Sequence, residues 1–279
     1  MTHPVEPQPA SGLHWYGVTD RGKVRKNNED AFLALCFDAQ EVRYLGKLGE
    51  ASIGHTDFVF AVSDGIGGAK AGEFASRVTV DKITSLLPRA YKQSAAGIEA
   101  GAGDVLSELF DQIHRALLYL GEGYEECAGM GATLSVCWFT PGWMHFGHIG
   151  DSRIYYFPAG GTMKQISHDD THVGWLLRNA KISEHEARIH PRRNMLQRSL
   201  GAGNQFVDPQ VGSVGYSRGD LFMLCTDGVV DGIFDSQLLE VLRPSLGTDA
   251  AANPAQRLVE AAIERAGRDN TTAVVIEVV

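Results

Sequence analysis

Short runs dense in β-branched and aromatic residues recur along the chain: HWYGVTD at 14–20, AFLALCF at 31–37, DFVFAVSD at 57–64, ATLSVCWF at 132–139, WMHFGHIGD at 143–151, RIYYF at 153–157, DLFMLCTD at 220–227 and TTAVVIEVV at 271–279. Most stop at turn residues, which marks them as strands. Between 132 and 166 the breaks are only Pro141-Gly142, Gly150-Asp151 and Ala159-Gly160-Gly161, links that suit antiparallel neighbours. Helical periodicity falls between these runs. Residues 72–87 space Phe74, Val78, Ile83 and Leu86 on one stripe. Residues 104–120 do the same with Val105, Leu109, Ile113, Leu117 and Leu120, behind Asp104 as a predicted N-cap. Segments 236–242 and 254–266 also read as helices, the second with Pro254 in its first turn after Asn253. Strands with antiparallel meanders and long intervening helices predict an α+β fold, sheets inside and helices outside. Residues 172–200 interrupt the strand rhythm with short helices and the basic stretch His190-Pro191-Arg192-Arg193-Asn194, and read as an inserted subdomain. The segment from Glu41 to Thr56 reads as a loop longer than a hairpin needs, either surface decoration or a partner contact. No domain boundary is visible, so 13–279 is expected to be one domain after a flexible lead at 1–12.

Composition narrows the class. The 279 residues are 44% hydrophobic and 21% charged, ordinary for a chain that buries a full core. The net charge of -9 disfavours nucleic acid as a partner and favours divalent cations wherever acids gather. Cys36, Cys127, Cys137 and Cys225 form no C-x-x-C pair and read as core fillers rather than metal or redox groups, which suits a reducing compartment. The start MTHPVEPQPASG lacks a signal pattern, and no apolar run approaches membrane-spanning length, so a cytoplasmic protein with no membrane partner is expected. Asn270-Thr271-Thr272 matches a glycosylation sequon that carries no weight in that compartment.

Several templates fail. GIGGAKAG at 65–72 lacks the Gly-Lys-Ser/Thr end of a phosphate loop and the third glycine of a dinucleotide fingerprint. His185-Glu186 begins like a zinc-protease helix, but position 189 is Ile; His168 and His172 flank Asp169-Asp170 and read as a turn or cap rather than a zinc pair. No G-x-S-x-G elbow is present. What does recur is an acid at the edge of an apolar strand beside Gly, Ser or Asn: Asp64 after FVFAVS, Asp151 after MHFGHIG, Asp227 after LFMLCT, and Asp269 just before TTAVVIEVV. One alone is turn chemistry. Four meeting at one sheet end would repel each other without cations, and hard oxygen ligands favour Mg²⁺ or Mn²⁺ over zinc. Spacing alone does not establish that they meet.

Ordered motifs supply a resemblance. TDRGKVRKNNEDAF at 19–32, FAVSDGIGG at 60–68, GMGATL at 129–134, HIGDSRIYY at 148–156, HPRRNMLQRSLG at 190–201, LCTDGVVD at 224–231 and DNTTAVV at 269–275 make the chain similar to the bacterial metal-dependent serine/threonine protein phosphatases, the PPM or type 2C family, from about residue 14 to the C-terminus. The resemblance implies a sandwich of two antiparallel β-sheets flanked by helices on both sides, with the site at one end of the sheets. It implies that Asp64 bridges two ions, that the backbone carbonyl of Gly65 binds one of them, and that Asp227 and Asp269 hold the other. Glu29 and Asp30 would act through bound waters, and Asp151, sharing Asp227, would hold a possible third ion. Arg25 would bind the substrate phosphate; read by itself it is an exposed arginine in a basic loop with Arg21, Lys23 and Lys26. A guanidinium fork suits that task because it pairs two phosphate oxygens and keeps its charge. Residues 172–200 would form a flap beside the cleft.

The expected reaction is hydrolysis of phosphoserine and phosphothreonine in proteins with Mn²⁺ or Mg²⁺. A water bridging two ions, its pKa lowered to roughly 7, would attack phosphorus in line, with Arg25 and the ions spreading the charge. The partners implied are phosphorylated proteins, including a cognate serine/threonine kinase or its targets, and the chain is expected to be a monomer. Two alternatives stay open: a hydrolase of a small phosphorylated metabolite, and a binding module without activity. The chain departs from relatives at Ile66, where many eukaryotic members carry a histidine proposed as general acid; at Ala69, where some bacterial members carry histidine; and at Asp170, where relatives often have the histidine of an Asp-His pair.

Overall fold

Strand runs that are apolar at every position, not at alternate ones, need cover on both faces, and the architecture supplies it. The computed structural model describes residues 12–95, 101–243 and 253–279. The lead expected at 1–12 lies outside them except for Gly12, which is already strand. The chain opens with β1 (Gly12–Asp20), β2 (Asp30–Phe37), β3 (Val42–Tyr44), β4 (Leu48–Ser52) and β5 (Asp57–Ile66), followed by α1 (Ala69–Ala95) and α2 (Ala102–Gly123). The middle holds β6 (Gly131–Ala132), β7 (Leu134–Thr140), β8 (Trp143–Ile149), β9 (Arg153–Phe157), β10 (Lys164–Gln165), α3 (His172–Arg178), α4 (Glu184–Ile189) and β11 (Leu200–Gly201). The last part adds β12 (Gln210–Gly215), β13 (Leu221–Cys225), α5 (Asp227–Gly232), α6 (Asp235–Leu242), α7 (Pro254–Arg265) and β14 (Thr271–Val278).

One antiparallel sheet runs β10-β9-β13-β14-β1-β4; the other runs β3-β2-β5-β7-β8-β12, with β6 and β11 attached at the end of β5. Side chains alternate between two buried layers. Phe58, Phe60 and Val62 of β5 meet Phe222, Leu224, Val274 and Ile276 between the sheets. Val59 and Ala61 point the other way, onto Ile83 and Leu87 of α1 and Leu109 and Phe110 of α2. On the far side Met223 and Val275 meet Val229, Leu238, Leu258 and Val259 of the C-terminal helices. The result is the expected helix–sheet–sheet–helix layering, and all four cysteines lie buried with no disulfide between them.

Two local expectations change and a third holds. Residues 41–56 are not a bare loop: β3 pairs with β2 in one sheet and β4 with β1 in the other, so this segment carries the chain across the sandwich edge. Asp104 is not the N-cap of α2; Gly101 holds that place, and Asp104 sits a turn inside, accepting the Gly101 N–H at 3.3 Å. Asn253 does cap α7, accepting N–H bonds from Ala255 and Gln256 at 3.0 and 3.2 Å. No helix among the described residues is long and apolar enough to cross a membrane.

One buried acid lies away from the strand ends that carry the acidic motifs. Asp57, 7% exposed at the start of β5, accepts the indole N–H of Trp138 at 2.9 Å, and burial raises its pKa to about 6 despite that bond. A carboxyl raised in the fold stabilises fully below its unfolded pKa and loses that contribution as pH climbs through the folded value. Asp57→Asn keeps an acceptor for Trp138 and removes the charge. The variant is expected to gain about 1–3 kcal/mol at pH 7.5 and nothing near pH 4, read as the difference in urea midpoints at the two pH values.

Candidate active site

Antiparallel register decides which strand ends meet. Asp30, the first residue of β2, lies directly opposite Asp64 near the end of β5. In the other sheet Cys225 pairs with both Ala273 and Arg153, so the turns carrying Asp227, Asp151 and Asp269 leave at that same end. Asp64, Asp151, Asp227 and Asp269, distant in sequence, thereby line one open cleft of about 520 Å³ with Glu29, Gly65, Ile66, Thr133 and Arg25.

The electrostatics follow from this crowding. Burial first, then repulsion from Asp30, Asp227, Asp151 and Asp269, pushes Asp64 well above the usual carboxylate range. Burial, then Asp151 and Asp269, does the same to Asp227. Burial and the neighbouring Asp169 raise Asp151 to about 7. Asp30 also rises to about 7 through burial, against the pull of hydroxyl bonds from Thr272 at 2.6 Å and Thr226 at 2.7 Å. Those bonds make Asp30 a direct stitch between the two sheets. One oxygen each of Asp30 and Asp227 is buried with no hydrogen-bond partner. Orphaned anionic oxygens in an acidic cleft are a donor set suited to hard cations. Among the described residues no three His, Cys, Asp or Glu side chains close tightly enough to form one ion's cage; Asp269 is instead turned onto Arg25.

Arg25 sits on the rim and donates from Nη2 to Asp269 Oδ2 at 2.6 Å. Its loop is shaped by Asn270, which is 4% exposed. Asn270 Oδ1 accepts the Glu29 N–H at 2.7 Å, and its amide donates to the carbonyls of Arg21 and Asn27 at 3.0 and 2.9 Å. The sequon asparagine is therefore a buried organiser of the Arg25 loop, with no room for a glycan.

Gly65 is glycine for a steric reason that spacing did not show: a Cβ there would strike the Gly72 carbonyl, and one at Gly72 would strike the Glu29 carboxylate. The first turn of α1 thus lies against the end of β5, while Gly67 and Gly68 take positive φ of 129° and 82° to start the helix.

Residues that sequence reasoning left unassigned hold the acids in place. Thr133 exchanges bonds with Asp64, its hydroxyl accepting the Asp64 N–H and its own N–H reaching Asp64 O, both at 2.9 Å. The same hydroxyl meets Ser152, beside Asp151, at 2.8 Å. His148 is fully buried and held neutral, its pKa pushed down to about 4 by burial. Because Gly150 O can only accept, Nε2 carries the proton and donates at 3.1 Å, leaving Nδ1 to accept from Ser135 at 2.8 Å. Asp170 accepts the Gly150 N–H at 3.1 Å, and its own N–H donates to Gly150 O at 2.7 Å. The Asp170 carbonyl also accepts the Gln197 N–H at 2.7 Å, so Asp170 ties the Asp151 turn to the segment at 172–200. Thr133, His148 and Asn270 all fall inside the quoted motifs, but only the hydrogen bonds reveal their work.

Comparison with known proteins agrees with this layout. The Protein phosphatase 2C family profile matches residues 49–261. The serine/threonine protein phosphatase PstP of Mycobacterium tuberculosis is 32% identical over 96% of this chain, which spans 45% of that protein's length. The serine/threonine phosphatase Stp of Listeria innocua is 28% identical over 95% of this chain and 96% of its own. Crystal structures of PstP superpose with TM-scores of 0.72 and 0.73 at 31% and 30% identity, covering 96% of this chain and 99% of theirs; the second is a catalytic domain in complex with two manganese ions. Motifs, sheet topology, the acidic cleft and these matches agree: the chain belongs to the bacterial protein phosphatase 2C, or PPM, family.

Proposed function

We propose that this chain is a metal-dependent phosphatase that removes phosphate from phosphoserine and phosphothreonine in proteins. The observation that carries the reading is that Asp227, which has a buried oxygen without a hydrogen-bond partner, lines one cleft with Asp64, Asp151, Asp269 and Arg25. Asp64, the Gly65 carbonyl, Asp227 and Asp269 would hold two Mn²⁺ or Mg²⁺ ions, and Asp151 with Asp227 would hold a third. Such ions, when bound, lower the pKa of water and neutralise charge on a phosphoryl group.

The chain's own residues do the rest. Arg25, paired with Asp269 and half exposed on the rim, would have its fork free for the substrate phosphate if a cation took Asp269 instead. The Thr133 and Asp30 hydrogen bonds fix the Asp64 backbone and the sheet ends from which the acids project. Ile66 lines the cleft and has no proton to give, so the departing seryl or threonyl oxygen takes its proton from solvent. The substrates are phosphoproteins, a serine/threonine kinase or its targets among them.

Phosphate release from a phosphothreonine peptide is expected with Mn²⁺ and absent in excess EDTA. Equal or better turnover of small phosphomonoesters would move the reading to a metabolite phosphatase. No Mn²⁺-dependent release from either substrate would leave a binding module.

A further inference from the structure

The C-terminal end of α5 is held by a residue from the segment at 172–200. Arg188, on α4, donates from Nη1 to the Asp231 carbonyl at 2.9 Å and from Nη2 to the Ile233 carbonyl at 2.6 Å. Its guanidinium lies 3.8 Å over the Phe234 ring, and its side chain is only 18% exposed. Glu184, one turn earlier on α4, accepts from both Arg188 at 3.3 Å and the Asp235 N–H at 3.2 Å.

α5 needs such help. It has six residues, two of them glycine, far below the length at which a helix is stable alone. Its last carbonyls are orphan acceptors, and a cation there also complements the helix dipole. Sideways it is fixed by close packing, since Cβ atoms at Gly228 and Gly232 would strike the carbonyls of Asn270 and Ala262. Its first residue is Asp227. A rod only about 9 Å long passes a displacement at one end to the other.

We propose that Arg188 is a positioning residue for Asp227: by capping the far end of α5 it sets where that carboxylate meets a divalent cation, and so couples the segment beside the cleft to metal affinity. This rests on the reading of Asp227 as a metal ligand. A lysine in its place can satisfy one carbonyl as a point charge but lacks the fork that spans two.

The test is Mn²⁺ binding by calorimetry on the full chain, beside thermal melting in EDTA, for wild type, Arg188→Lys, Arg188→Ala and, as a control on the same segment, the exposed Lys181→Ala. Arg188→Lys is expected to weaken Mn²⁺ binding about 10-fold, the usual scale for a residue that orients a ligand. Arg188→Ala is expected to weaken it further and Lys181→Ala not at all. In activity assays the half-saturating Mn²⁺ should rise while KM for a phosphopeptide at saturating Mn²⁺ stays put. Should Arg188→Ala fail to fold, the lysine variant decides. Wild-type Mn²⁺ affinity in Arg188→Lys, whatever its melting temperature, overturns the proposal. Failure of the wild-type protein itself to bind Mn²⁺ overturns the metal reading beneath it.

Discussion

Asp227→Asn is expected to cut phosphopeptide turnover by about 10³ or more at ordinary Mn²⁺, because a neutral amide oxygen would replace the anionic oxygen proposed to serve two ion positions. The same substitution should make the metal-free protein more stable. Asp227 sits at the first residue of α5 with one oxygen buried and partnerless, and burial, then repulsion from Asp151 and Asp269, raises its pKa well above the usual carboxylate range. Removing that charge relieves repulsion that the fold otherwise sustains. An active site that costs stability is the expected trade where charges are assembled for a cation. The two signs together are diagnostic: low turnover with a raised melting temperature in EDTA identifies a metal ligand, whereas low turnover with a lowered melting temperature identifies damage to the fold. Arg25→Ala contrasts with it. Its side chain is half exposed on the rim, so it should raise KM for the phosphopeptide roughly 10–100-fold and leave Mn²⁺ affinity near wild type. Steady-state kinetics across a Mn²⁺ titration, with melting curves in EDTA, check all of these. Near-normal turnover in Asp227→Asn would remove Asp227 from the site.

Much of the site was legible because it obeys a local rule: an apolar strand ending in Asp and then Gly, Ser or Asn. That rule found Asp64, Asp151 and Asp227, and its mirror image, an acid just before an apolar strand, found Asp269; antiparallel register then explains why these strand ends coincide. Layering was legible too, since strands such as FVFAVS and LFMLC are apolar on both faces and need cover on both. What spacing could not reach was long-range hydrogen bonding. Asp30 spans the sandwich to Thr226 and Thr272 across 196 and 242 residues of sequence, and Thr133 reaches Asp64 across 69. Nothing in the neighbourhood of Asp30 or Thr133 announces those partners. Arg188 was missed for a related reason. Its work is done on backbone carbonyls, which carry no residue identity, and a basic residue in the last turn of a short helix reads as ordinary solvent-facing charge. The loop expected at 41–56 failed differently: β3 and β4 are edge strands of three and five residues with exposed positions, too short and too polar to stand out by periodicity.

The cluster also fixes how stability should respond to pH, and the direction inverts with metal. Asp30 and Asp151 hold their protons up to about pH 7 in the metal-free fold, and Asp64 and Asp227 are raised well above the usual range, mainly by burial. In the unfolded chain each titrates near 3.9. A group of this kind contributes its full stability below about pH 4, and the contribution drains away as pH rises through the folded value. In EDTA the melting temperature should therefore fall between pH 5 and pH 8. About 2–4 kcal/mol for each of Asp30 and Asp151, less what their coupling shares, corresponds to a fall of roughly 10 °C. With millimolar Mn²⁺ the acids must lose those protons to act as ligands, so metal affinity grows with pH. At 100 times its dissociation constant an ion returns about 2.7 kcal/mol, and two ions return more. The melting temperature in Mn²⁺ should thus hold level or rise over the interval in which it falls in EDTA. Differential scanning fluorimetry at pH 5, 6, 7 and 8, with Mn²⁺ and with EDTA, reads both curves. Asp227→Asn should flatten the EDTA curve and narrow the gap to the Mn²⁺ curve. Parallel curves for the wild-type protein would mean that protons and cations do not compete for these carboxylates, and the acidic cleft would then not be where the ions bind.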